Sequence, residues 1–144
     1  MNFLHFKFTP PFFLGLLFVF FLGCRTNPLP DLNQLEGYWE IDFITQQGET
    51  FKPQSLAPLY DHYSLSDNQG VFNKVASLID GNFETSLDQI YFVVEQKDQS
   101  YIIFFKTRWD QWSKKIDHLD TQKLILEHDN RKFHYKRPNL THYE

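Results

Sequence analysis

The alternation in YWEIDFI, residues 38–44, narrows what this chain folds into more than any other feature. Trp39, Ile41 and Phe43 share one phase, and Tyr38, Glu40 and Asp42 share the other. A period of two belongs to a strand with one face on a core. Short runs rich in aromatic and β-branched residues recur at 60–65, 89–95, 100–107, 116–119, 124–128 and 132–137. Polar clusters punctuate them. These are QQGE at 46–49, SDNQG at 66–70, where Gly70 is expected to supply a positive φ, and QKDQ at 96–99. Between the last two runs, Asp129 and Asn130 tolerate a left-handed turn. The stretch 71–79 fits either a helical face or an irregular strand, and we read it as strand or irregular structure. No long amphipathic helix is evident. The pattern predicts an all-β, antiparallel meander, closed into a barrel or folded into a sandwich. Closure has the advantage of removing exposed sheet edges.

A different signal precedes this domain. Residues 12–22 form an uncharged apolar run of about 11 residues, matching a signal-peptide core and falling short of the ~20 needed to span a bilayer. Lys7 gives a positive flank, Pro10 and Pro11 mark the junction, and Gly23 is the small residue a signal peptidase needs before its cut. Cys24 then follows as the chain's single cysteine, so it has no internal disulfide partner. A small residue and Cys at the end of such a core resemble the lipobox of bacterial lipoproteins, with Phe21 and Leu22 departing from the commoner residues. That resemblance implies a signal peptide over 1–23, diacylglyceryl transfer to Cys24, cleavage before it, and attachment to the cell envelope, at the outer membrane. Each buried methylene contributes about 0.8 kcal/mol and one acyl chain binds only marginally, so several chains together make the anchor effectively permanent. An ordinary secreted chain, or an uncleaved anchor with an incidental cysteine, is the competing reading.

After cleavage about 120 residues remain, enough for one domain with a real core. Residues 24–34 read as a lipidated linker kept extended by two prolines, 35–138 as the domain, and 139–144 as a frayed tail. Loss of Lys7 leaves 13 Lys and Arg against 18 Asp and Glu. A net charge near −5 argues against a nucleic-acid partner, which would need a basic surface.

The segment LEGYWE, 35–40, carries the pattern L-x-G-x-W at the entry to the first strand. With the meander and the closing segment 124–137, it resembles the lipocalin-like domains of small bacterial lipoproteins. The resemblance spans roughly 35–137 and implies an up-and-down barrel of about eight strands with one closed end. It gives Gly37 the tight approach, Trp39 the plug, and Arg137 the basic residue over that plug. A Gly-x-Trp that merely starts a sheet and buries an indole is the plainer alternative. Inward positions are expected to include Ile41, Phe43, Phe92, Ile103, Phe105, Leu124, Leu126 and Tyr135. Eight strands leave room for filling side chains or one small ligand, not both, so an interior filled by most of these residues would be dry and would exclude a ligand.

No nucleophile elbow, phosphate loop or dinucleotide fingerprint is present, and an enzyme is not expected. No cofactor is expected either. Five histidines follow residue 24, at 62, 118, 128, 134 and 142, without metal-ligand spacing. His128 and His134 are placed where they face each other across the last hairpin, although exposed cross-strand histidines are the plainer reading. Asp117 and Asp120 read as solvated charges beside turns. The aromatic cluster Trp109 and Trp112, beside Arg108, is the candidate contact for a ligand or partner, and mutual packing of the two indoles over the barrel end is the alternative favoured here. Two functions fit: a membrane-anchored domain binding a small apolar or amphipathic ligand at the barrel mouth, or an envelope interaction or assembly protein with a solid barrel.

Overall fold

The computed structural model describes residues 28–54, 59–78, 83–86 and 89–139. The apolar run 12–22, Cys24 and the tail beyond 139 therefore lie outside the described residues. A 3-10 helix, Leu32–Leu35, opens the fold. The strands are β1 (Gly37–Gln46), β2 (Glu49–Phe51), β3 (Leu59–Ser66), β4 (Gln69–Ser77), β5 (Phe83–Thr85), β6 (Ile90–Lys97), β7 (Ser100–Lys106), β8 (Gln111–Leu119), β9 (Lys123–His128) and β10 (Arg131–Lys136). Each pairs antiparallel with its neighbour in the order β10-β9-β8-β7-β6-β4-β3-β1, and β10 returns to pair with β1. The result is a closed, eight-stranded, up-and-down barrel, which settles the choice between barrel and sandwich that the alternating runs left open and is the architecture the resemblance implied. The short strands β2 and β5 extend its wall beside β1 and β4.

Turn chemistry sets the register. Asp129 and Asn130 adopt φ 49° and 60°, and Gln47 and Gly48 adopt 51° and 85°, the paired left-handed conformations that match strand twist in a tight hairpin. Gly70 departs from expectation. It lies in β4 without a positive φ, and a Cβ there would stand 2.0 Å from the Ser64 carbonyl oxygen and 2.7 Å from the Phe92 ring. Close approach of backbone, not turn geometry, requires this glycine. The left-handed residue of that turn is Asp67, at φ 57°.

Two bulges redirect side chains. On β1, Ile41 pairs with Tyr135 but Phe43 pairs with His134, so Asp42 is the extra residue. Phe43, expected inward, is thereby turned to the outer wall, where it stacks on His134 with centroids 4.1 Å apart. The second bulge, at Asp117, lets both Ile116 and Leu119 face the core. His128 and His134 do not face each other: the first pairs with Arg131 and the second with Ile125. Both are half-buried rather than exposed.

The interior is solid through most of its length. Trp39, Tyr63, Phe92, Phe105, Leu35, Ile103, Leu124 and Leu126 are its largest fully buried side chains. Tyr63, Phe72, Phe92 and Phe105 meet with centroids 5.0–6.4 Å apart, in tilted and edge-on pairs, the arrangement that aromatic quadrupoles favour.

Candidate functional site: the barrel mouth

The two barrel ends differ in kind. At one, Asp31 caps the 3-10 helix by accepting a hydrogen bond from the Asn33 amide, and Leu35 is driven into the core. The expected boundary at 34/35 thus falls inside this helix, whose Leu32 and Leu35 both pack on the interior. Trp39 is fully buried, and its Nε1 donates to the Leu35 carbonyl at 2.8 Å. The Arg137 guanidinium lies 3.7 Å from the indole centroid. It donates from Nη2 to the Gln34 carbonyl at 2.6 Å, from Nη1 to the Tyr38 carbonyl at 3.1 Å, and from Nε to the Thr121 carbonyl at 3.3 Å. Gly37 has φ 102°, and a Cβ there would stand 3.1 Å from Arg137 Nη1. Sequence-distant residues thus meet as one seal, in which a cation–π contact and three charge-assisted bonds tie both chain ends of the barrel together. This end is shut.

The opposite end is built differently. Register fixes which side chains enter it, because directly paired residues share a face. Asp61 pairs with inward Trp39 on one side and with Lys74 on the other, so both charges project into the barrel. By the same alternation Leu59 and Ala76 face inward, and so does Phe51, which pairs with Ile44 opposite inward Phe133. On β8, Trp112, Lys114 and Ile116 share the inner phase; Trp112 stacks on Phe105 at 5.2 Å and 10°.

The charged groups here are poorly compensated. Lys74 donates to Asp61 Oδ1, while Asp61 Oδ2 finds no hydrogen-bond partner among the described residues although the residue is buried. The fully buried Tyr63 hydroxyl likewise has no partner among the described residues. Burial pushes the Tyr63 phenol well up, reinforced by Tyr135 and Asp61. Tyr135 is raised too, by burial first, then by the Asp61 charge and by a hydrogen bond with the Asp61 side chain, which gives that carboxylate a second partner beside Lys74. Lys114 holds its ammonium over the faces of Phe133 and Phe105, at 5.0 and 5.8 Å. Burial lowers its affinity for a proton; Asp61 opposes this and Lys74 adds to it. An unpaired buried polar atom costs about 1–3 kcal/mol, and such atoms mark sites completed by something besides the protein.

Apolar surface surrounds this polar nest. Phe51, Leu59 and Leu78 are 49, 52 and 39 % exposed, and all three lie at the mouth. A hollow of about 280 Å³ opens there, lined by Leu59, Lys74, Ala76, Glu84, Thr85 and Ser86. That is just under the roughly 300 Å³ at which small-molecule pockets begin, so it suits a head group or a short chain. A separate groove of about 440 Å³ lies on the outer wall over Val93, Phe104, Lys106, Gln111 and Ser113.

The tryptophans near the mouth do not pack on each other. Trp112 belongs to β8 and packs on Phe105 within the wall, whereas Trp109 stands 87 % exposed in the β7–β8 turn. Its neighbour Arg108 lies 5.7 Å from the indole centroid. The Thr107 hydroxyl holds this turn by accepting from the Trp109 and Asp110 amides, at 3.2 and 2.9 Å. The Asp61, Lys74 and Lys114 cluster is what sequence reasoning missed. Its signal was present: Asp61 shares the phase of Tyr63 and Leu65, and Lys114 that of Trp112 and Ile116, so each is a charge on an apolar face. Among the described residues no group of three or more His, Cys, Asp or Glu side chains is placed to hold a metal ion.

No family model matches the chain, and no curated protein matches it. Solved structures similar to it include a lipocalin-like protein from Bacteroides uniformis ATCC 8492. That protein is 18% identical, with a TM-score of 0.45 over 73% of this chain and 99% of the other. An uncharacterized protein from Bacteroides eggerthii DSM 20697 is 14% identical, with a TM-score of 0.46 over 72% and 99%. The barrel assignment rests on this chain's own strand order and closure.

Proposed function

We propose that this protein is a non-enzymatic, lipid-anchored barrel of the bacterial cell envelope, attached through Cys24 to the outer membrane, that binds a small amphipathic ligand at its open mouth. One observation carries the binding reading. Inward charged side chains, Asp61 with one oxygen lacking a hydrogen-bond partner and Lys114 held over two aromatic rings, lie beneath a rim of exposed apolar side chains at the end of the barrel where the described residues form no seal. A ligand's polar group would meet the Asp61 and Lys114 atoms, and its apolar part would cover Leu59, Phe51 and Leu78. The filled interior limits how deep such a ligand goes, so selectivity is for short molecules rather than long chains. A solid-barrel interaction protein is the second reading, favoured by the outer-wall groove beside exposed Tyr91 and Val93.

The anchor is supported by the apolar run 12–22 ending in Gly23 and Cys24. Cys24→Ser is expected to abolish labelling by radioactive palmitate and to move the protein out of the membrane fraction. Labelling that survives the substitution refutes the anchor.

A further inference from the structure

We infer that the mouth opens away from the bilayer that anchors the chain, so that its ligand arrives through water rather than from the anchoring leaflet. This rests on the acylation of Cys24 proposed above and adds to it a direction.

The direction comes from where the chain leaves the barrel. Pro28 to Asp31 run beside Gln99, in the β6–β7 turn, and beside Leu119, at the end of β8. Both belong to the sealed end, next to the Trp39 plug. From Cys24 to Pro28 there are four peptide steps, which span at most about 14 Å when fully extended. The nine residues of β8 rise about 3.3 Å each, and at the usual barrel tilt of about 35–45° they give a wall roughly 20 Å high. A mouth seated on its own membrane would lift the exit point by that height, which the tether meets only when the chain, the Cys24 side chain and its glyceryl thioether are all drawn out straight. The sealed end needs no such extension to lie at the membrane, so the geometry favours the mouth facing the aqueous phase. It follows that Leu59, Phe51 and Leu78 are not a membrane-insertion rim for the anchoring leaflet. The ligand class narrows accordingly to amphiphiles short enough to disperse singly in water, as the small hollow also requires.

Site-specific energy transfer tests this on the acylated full-length protein purified from a bacterial host and reconstituted in vesicles of phosphatidylethanolamine and phosphatidylglycerol. The acylated Cys24 leaves no competing thiol, so Thr121→Cys and Gln111→Cys each place one donor dye, at the sealed end and the mouth end, with an acceptor on the lipid head groups. The expected result is transfer at least about twofold more efficient from position 121 than from 111, given the wall height. Equal transfer, or stronger transfer from 111, overturns the inference. Mass spectrometry of the same preparation reads the acyl group on Cys24. An unacylated cysteine overturns the anchor and the direction with it, whereas an acylated cysteine with reversed transfer overturns the direction alone.

Discussion

Arg137 does more at the sealed end than its charge alone explains. Its guanidinium covers the Trp39 ring and donates to three carbonyls from separate parts of the chain. The planar fork of arginine makes this possible and a lysine would not reproduce it. Trp39→Ala removes the plug and strands that guanidinium. The expected loss is about 3–5 kcal/mol in urea denaturation, and a loss under about 1 kcal/mol would show that the indole contributes little to the core. Lys114 is the opposite case, a residue that costs stability. Burial lowers its proton affinity, so the folded state disfavours its charge. That penalty is complete below the folded pKa, shrinks as pH rises toward the unfolded value of 10.5, and vanishes above it. Lys114→Met is therefore expected to stabilise the protein by about 1 kcal/mol at neutral pH, with the gain disappearing near pH 10.5. The same substitution should weaken binding of a short anionic amphiphile such as decanoate, measured by calorimetry. Stability gained at the expense of binding is the mark of a functional residue; a variant that is destabilised and binds normally would contradict the role.

Strand alternation and turn residues made most elements legible in the sequence, because both act over a few residues. The runs at 89–95 and 100–107 became β6 and β7, joined by a turn whose Asp98 has φ 53°. The bulges at Asp42 and Asp117 were not legible, since an extra residue in one strand is defined only by its partner. This is why Phe43, in phase with Trp39 in the sequence, ends on the outer wall. The role of Gly70 is hidden in the sequence for a related reason: the atoms it makes room for belong to Ser64 and Phe92, on other strands. The β9–β10 turn gives the element-scale test. Asn130, at φ 60°, is expected to accept glycine with no loss or a gain of up to about 1 kcal/mol. Asn130→Val should cost about 1–2 kcal/mol by forcing a β-branched residue into a left-handed conformation. Thermal melts of the two variants check this, and equal stabilities would mean that the turn does not set the register.

At the scale of the whole molecule, closure of β1 on β10 gives the barrel one tied end and one that the described residues leave open. The tied end was readable from Gly37, Trp39 and Arg137, because a short motif and a terminal arginine suffice to mark it. The open end was not, because its charges come from β3, β4 and β8 and converge only when the wall closes. Trp109 and Trp112, three positions apart in the sequence, are divided between an exposed turn and the wall. Ligand binding at the mouth is checked by amide chemical-shift mapping of the domain 28–139 during titration with decanoate. Saturable shifts are expected to concentrate at Phe51, Leu59 to Asp61, Lys74 to Leu78 and Trp112 to Lys114. Shifts concentrated instead on the outer wall at Tyr91, Val93 and Phe104, or the absence of any saturable shift with decanoate, decanol and dodecylphosphocholine alike, would contradict it.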